Sequence, residues 1–443
     1  MEAQDIYEAH RAYLRRFAEA EIKPFSAIVD EEARFPTESI AAIRKLDLPG
    51  LAFPAAFGGG DGDLMARVLA VEEIARVCAC TAHLMLTSWV AIMPLVVAGS
   101  AELKEHIVPQ VAAGRAQASF CLTEPGGGSD VASIRTVGEP TAGGWRLNGA
   151  KRFISNAGVA GWYAVLARNA TSGFGIFMVH RDDPGVSFGR AERKMGMRGS
   201  PLGDVLFDDC FVPEGRVVGD PTAGYATMMD ILTYSRPLIA AHGLGIAQGA
   251  LDETIAYTSQ RTQFGQPLSR FQMIRGMVAD MMAEVEAARS LLYRCVAIAG
   301  KNDERARAFA SMAKLLCTNA AMSITTNAVQ LHGGYGYIAD YPVERMMRDA
   351  KVTQIWEGTN QIQQLLIAKH AFRRLRVRIP DATAGAVQAA TTTRTIPAGR
   401  CSKTANACSA SSKAKLWVTR PARDNWPLRT SSVTAHKSLN VDE

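Results

Sequence analysis

The hydrophobic texture of this chain changes twice, and those two changes constrain its fold more than any single motif. Up to about residue 115, apolar residues recur at three-to-four spacing. The stretch from Met65 to Ala98 has Pro94 as its one proline and no glycine. Such spacing predicts helices. From about residue 117 the short runs SFCLT, WRLNG, WYAVLA, GIFMVH and DVLFDDCFV alternate with Gly, Pro, Asn and Asp clusters. That pattern predicts about 100 residues of strands and turns. No βαβ alternation runs through it. Beyond Pro221 the helical texture returns, with three or four long helices expected over residues 224 to 378. Within it Val278, Met281, Met282, Val285, Ala288, Leu291 and Leu292 form one apolar stripe, read as core or subunit packing.

The remaining residues, 379 to 443, are rich in Ala, Thr and Ser without periodicity and are expected to be disordered. Trp417 and Trp426 are unexplained companions for such a tail. It also distorts the charge balance. Of the net +6, residues 381 to 443 carry +5, so the body is near neutral and offers no nucleic-acid-binding surface. Eight scattered cysteines form no CxxC and no metal-ligand spacing, which predicts reduced core residues and no metal site. No apolar run is read as reaching the ~18 residues of a membrane span. The acidic start, MEAQDIYEAH, argues against a transit or secretory signal, so a cytoplasmic location is expected.

The residues that can carry chemistry cluster in a few runs. FCLTEPGGGSD, ending at Asp130, leads from a strand into three glycines whose backbone N–H groups could wrap an anion or a flat ring. It fits neither GxGxxG, nor a P-loop, nor GxSxG. In WEGTNQIQ, Glu357 lies between Trp356 and Gly358. A carboxylate against an aromatic face loses hydration, which raises its proton affinity toward that of a usable base. Gly358 permits a sharp turn and close ligand approach. Read locally, Glu357 is equally a charge placed at a helix N-terminus.

Taken together, TEPGGGSD, KRFISN, KMGMRGS, SRP, QRTQFG, QLHGGYGY and RDAKVTQIWEGTNQIQ stand in the order and spacing of the acyl-CoA dehydrogenase family. The resemblance covers roughly residues 5 to 378. It implies an α+β multidomain fold: an N-terminal α-helical domain (1–115), a central antiparallel β-barrel or sandwich domain (116–218) and a C-terminal four-helix-bundle domain (219–378). It further implies FAD as cofactor, an acyl-CoA substrate, an electron-transfer flavoprotein as acceptor, and a homotetramer or homodimer.

By the same resemblance Phe120, Leu122, Thr123 and Ser129 line the flavin, with Ser129 also near the pantetheine. Phe153, Ile154 and Ser155 pack its other side. Arg261, Gln263, Phe264 and Gln272 are the group sent to the FAD of a neighbouring subunit, and Gln330, Gly333 and Gly334 form a second pyrophosphate loop. Thr359 and Gln361 touch the cofactor just after the base. Thr233, Arg236 and Gly358 lie at the thioester, and Glu357 removes the α-proton. Some relatives carry the base beside the Arg, where this chain has Ser235, which cannot serve. An acyl-CoA oxidase and a non-catalytic acyl-CoA-binding protein are the other readings compatible with the same fold. Leu86, Trp89 and Met93 are expected at the acyl pocket, with Trp356 narrowing it toward short or branched acyl groups.

Overall fold

Helices α1 (Ala3–Glu21), α2 (Ser26–Glu31), α3 (Thr37–Lys45), α4 (Leu64–Ala75), α5 (Ala79–Ala98) and α6 (Ala101–Ala112) open the computed structural model, which describes residues 3–299 and 305–374. The tail expectation therefore lies outside the described residues. Seven strands follow: β1 (Ala118–Cys121), β2 (Val137–Thr141), β3 (Gly144–Ser155), β4 (Trp162–Asn169), β5 (Phe174–His180), β6 (Val186–Phe188) and β7 (Leu202–Pro213). Then come α7 (Gly224–Gln260), a small β8 (Thr262–Gln263) and β9 (Gln266–Pro267) hairpin, α8 (Gln272–Ala299), α9 (Ala306–His332), α10 (Pro342–Thr353) and α11 (Asn360–Arg374).

The helical stretch over 65–98 forms two helices, α4 and α5. Cys78, extended at φ −148°, breaks it, and Asp63 caps α4 by accepting from Ala66 N at 2.8 Å. Helix α5 also corrects the expectation about apolar runs. At 20 residues it is long and apolar enough to cross a membrane, but 83% of it is buried within the protein. It is a core helix, which is why it carries no amphipathic face. On α8 the buried stripe is narrower than expected. Met281, Val285, Ala288 and Leu292 are buried, whereas Met282 is 57% exposed.

Helix α7 crosses α4 at backbone distance because glycines face the crossing. A Cβ on Gly245 would lie 2.3 Å from Glu72 O, and one on Gly249 2.1 Å from Arg76 O. Around this crossing Glu72 and Glu73, 1% and 0% exposed, gather cations from three helices. Glu72 accepts from Arg11 at 2.8 Å, Arg289 at 3.1 Å and Tyr293 at 3.0 Å. Glu73 is paired with Arg15 at 2.9 Å and Arg76 at 3.4 Å. Helices α1, α4 and α8 are thus joined by buried charge, whose cost requires this full set of partners.

The sheet is mixed, not wholly antiparallel as expected. β1 and the start of β2 both pair in parallel with β4, along successive stretches of it, and the other strand pairs are antiparallel. The loop 122–136 leaves the sheet between them. Its Glu124 is pinned from inside: Lys151, fully buried on β3, donates to it at 2.7 Å, while Thr136 N donates at 3.0 Å. A register shift between Lys151 and Ile154 then turns Phe153 out at φ 58°, leaving it 56% exposed. Ile154 turns inward and joins the β core.

Another buried carboxylate, Asp349 on α10, accepts from the backbone N of Met197 and so ties the KMGMRGS segment to the helices. Burial raises its pKa to about 6. With the unfolded value near 3.9, this group favours the fold most below pH ~4, and the benefit is lost as pH rises through about 6. Asp349→Asn, which keeps an acceptor for Met197, should therefore gain stability relative to the native chain between pH 4 and 8, measured by urea unfolding across that range. Lys151→Met leaves Glu124 uncompensated and should cost about 3–5 kcal/mol in the same assay.

Candidate active site

Glu357 stands in the turn between α10 and α11, not at a helix N-terminus as its local sequence equally allowed. Helix α11 begins three residues later, and Thr359 Oγ1 accepts from Ile362 N at 3.3 Å at its first turn. The turn runs through the left-handed region at both Glu357 (φ 54°) and Gly358 (φ 83°). Glycine adopts this freely; for Glu357 it costs on the order of 1–3 kcal/mol and persists only under outside constraint. The constraint is visible. Gln363 Nε2 donates to Glu357 O at 3.2 Å and to Gly358 O at 2.9 Å, and the buried Lys314 donates to Gly358 O at 3.0 Å.

The carboxylate reaches α7, where Ser235 Oγ donates to Glu357 Oε2 at 2.7 Å. Pro237 two residues on has no N–H to give the Thr233 carbonyl, so α7, though unbroken, lacks one backbone hydrogen bond where it meets Glu357. Burial raises the pKa of Glu357, while the Ser235 hydroxyl, Arg236 and Lys314 pull it down. Arg236 is itself buried, which lowers its pKa against the pull of Glu357, and its Nε has no acceptor. The N–H of Glu357 likewise finds no acceptor among the described residues.

Trp356 lies stacked on His83 of α5, ring centroids 4.3 Å apart and planes 11° from parallel. His83 Nε2 is 3.0 Å from Ser155 Oγ at the end of β3. Burial holds His83 well below its usual pKa, so it is neutral. One chain of contacts thus connects the turn, α5 and the sheet, and Ser155 O accepts from Ser119 of β1, the strand that carries Phe120 and leads into the loop with Leu122, Thr123 and Ser129. Ser129 is exposed, Phe120, Leu122 and Thr123 are half-buried, and Arg152 lies 4.8 Å over the Phe153 ring. Ile154 offers this side only its backbone, because its side chain belongs to the β core.

The other predicted residues stand apart from Glu357. Gln263, Phe264, Gln272, Gln330, Gly333 and Gly334 are exposed, Phe264 at 94%, and Arg261 lies 5.1 Å over the Tyr335 ring. Gly333 has φ 60° and ψ −137°, open to glycine alone, and a Cβ on it or on Gly334 would meet nothing within 4 Å. Gln361 is exposed on α11.

These features fit FAD: a flat, half-open surface at Phe153 and Thr123, an orphaned buried guanidinium at Arg236, and a bare glycine loop. Beside Ser235, the partner of Glu357, a cleft of about 590 Å³ is lined by Trp89, Met93, Ile231, Thr233, Ser235 and Leu238. Two expected pocket residues, Trp89 and Met93, face it; Leu86 is buried without lining it. Sequence reasoning missed His83 and Lys314. Each is the one basic residue in an otherwise largely apolar helical run, TAHLML and SMAKLLC, and that isolation was the available signal.

The acyl-CoA dehydrogenase N-terminal, middle and C-terminal domain families match residues 4–115, 119–210 and 222–372. A probable acyl-CoA dehydrogenase of Mycobacterium tuberculosis is 42% identical over 371 residues, 83% of this chain and 95% of its own. Cyclohexane-1-carbonyl-CoA dehydrogenase of Geobacter metallireducens is 42% identical over 366 residues, 81% and 96% of the two chains. The butyryl-CoA dehydrogenase structure from Megasphaera elsdenii superposes with a TM-score of 0.80 at 34% identity, covering 84% of this chain and all of that one. The chain belongs to the acyl-CoA dehydrogenase family of FAD-dependent oxidoreductases.

Proposed function

We propose that the chain oxidises an acyl-CoA thioester to its trans-2-enoyl-CoA, with Glu357 removing the α-proton. The observation that carries this reading is a desolvated carboxylate held in a strained turn beside Ser235 and the cleft. Desolvation makes Glu357 a stronger base than an ordinary carboxylate, and the acyl chain entering the cleft would strengthen it further. The unpaired Glu357 N–H supports a role as donor to the thioester carbonyl, where charge develops as the proton leaves. Arg236, with no acceptor for its Nε, supplies positive charge close by. Thr233 and Gly358 complete the thioester end of the site.

Phe120, Leu122, Thr123, Ser129, Phe153, Ser155, Thr359 and Gln361 would hold the flavin end of FAD, and Ser129 would also meet the pantetheine. Bound FAD supplies the acceptor for the β-hydride. Arg261, Gln263, Phe264 and Gln272, with Gln330, Gly333 and Gly334, would serve the pyrophosphate and adenosine across a subunit boundary of a homotetramer or homodimer. Their exposure in one chain supports that division, as do Met273 at 84% and Tyr337 at 86% exposed. An electron-transfer flavoprotein is the acceptor proposed for the electrons. Trp356, wedged on His83, favours short or branched acyl groups.

Anaerobic mixing of the FAD-loaded protein with an acyl-CoA panel should bleach the flavin absorbance, and no bleaching with any thioester would overturn the reading. Glu357→Gln should keep FAD and bind acyl-CoA, yet reduce at least ~10²-fold more slowly. Ser235→Ala removes a hydrogen bond that holds the carboxylate ionised. Its acid limb in the pH profile of flavin reduction should move to higher pH, since Glu357 must lose its proton to act.

A further inference from the structure

Lys314 on α9 is enclosed completely, at 0% exposure, and both oxygens that its ammonium meets are neutral. It donates to Gly358 O at 3.0 Å and to Asn360 Oδ1 at 2.8 Å. No carboxylate among the described residues pairs with it directly. Asn360 is held in turn by donating to Thr318 Oγ1 at 2.9 Å and Asn319 Oδ1 at 2.8 Å, so the acceptor beneath the turn is fixed. A neutral donor could supply the same two hydrogen bonds without the cost of burying a charge. The charge is what a purely structural tie leaves unexplained.

We propose that Lys314 is a positioning residue for the base, holding the left-handed Glu357–Gly358 turn through Gly358 O and supplying buried positive charge that keeps the Glu357 carboxylate ionised between turnovers. The proposal rests on Glu357 being the base. Burial brings the pKa of Lys314 down to about 7; Glu357 opposes that fall and Arg236 adds to it. Those two, from the turn and from α7, are the charges acting on it, and α8, α10 and α11 add none. Lys314 and Arg236 act in turn on Glu357, where together with the Ser235 hydroxyl they offset the effect of burial. Each of the two groups therefore favours the charged form of the other.

The test compares Lys314→Met, which removes charge and donor, with Lys314→Gln, which removes the charge and keeps a donor. In the full-length, FAD-loaded protein, pH-difference infrared spectroscopy follows the protonated carboxyl C=O band that Glu357→Gln abolishes. Both variants should move the midpoint of this band to higher pH. Flavin reduction by an acyl-CoA that bleaches the native enzyme should fall about tenfold at pH 6, with recovery at alkaline pH, because one pH unit of proton affinity is a tenfold change. Substrate binding should change little. A midpoint unmoved in both folded variants, or a loss of rate equal at every pH, would overturn the proposal. If neither variant folds, Lys314 is a structural residue and the proposal falls. The infrared midpoint needs no turnover. A native protein that reduces with no thioester would remove the dehydrogenase reading and leave the Lys314 result to be decided separately.

Discussion

A carboxylate cannot be left alone in a dry interior, and this fold settles that cost at several places, each time by joining segments far apart in sequence. Glu72 and Glu73 on α4 are satisfied by arginines of α1, α4 and α8. Glu124 is satisfied by Lys151 across the sheet, and Asp349 by the Met197 backbone. Because removing one partner from such a group costs several kcal/mol, each set acts as a rivet with a defined geometry. The helices and the sheet are placed relative to one another by these pairings as much as by apolar burial, which sets proximity but not register.

Glu357 is the exception among these carboxylates. Its carboxylate receives one neutral hydrogen bond, from Ser235, and no cation pairs with it directly among the described residues. It is half-buried in a turn that its own backbone disfavours. The surrounding structure compels this arrangement through Gln363 and Lys314 on one side and the Trp356–His83 stack on the other. A group kept short of partners is available to a substrate proton in a way that Glu72 is not.

The broad fold was legible because periodicity reports burial, and burial follows the local period of each element. The change from helix to strand near residue 117 and back beyond Pro221 matches the element order. Parallel pairing of β1 and β2 on β4 was not legible, since strand texture is the same in either direction. Nor was the break at Cys78, where no glycine or proline interrupts the pattern. At the site, Glu357 could be picked out because aromatic and glycine neighbours are local. The contacts that define its environment, from Ser235, Lys314 and His83, arrive from 122, 43 and 274 positions away, and no local reading reaches them.

The 2.7 Å bond from Ser235 to Glu357 also bears on how such enzymes diverge. Two positions, one on a long helix and one in a turn, meet side chain to side chain. A carboxylate at either would therefore address the same substrate carbon, and carboxylates at both would compete for one proton. With the base proposed at Glu357, two substitutions would carry the carboxylate from the turn to the helix. The serine found here marks the vacant end of that exchange.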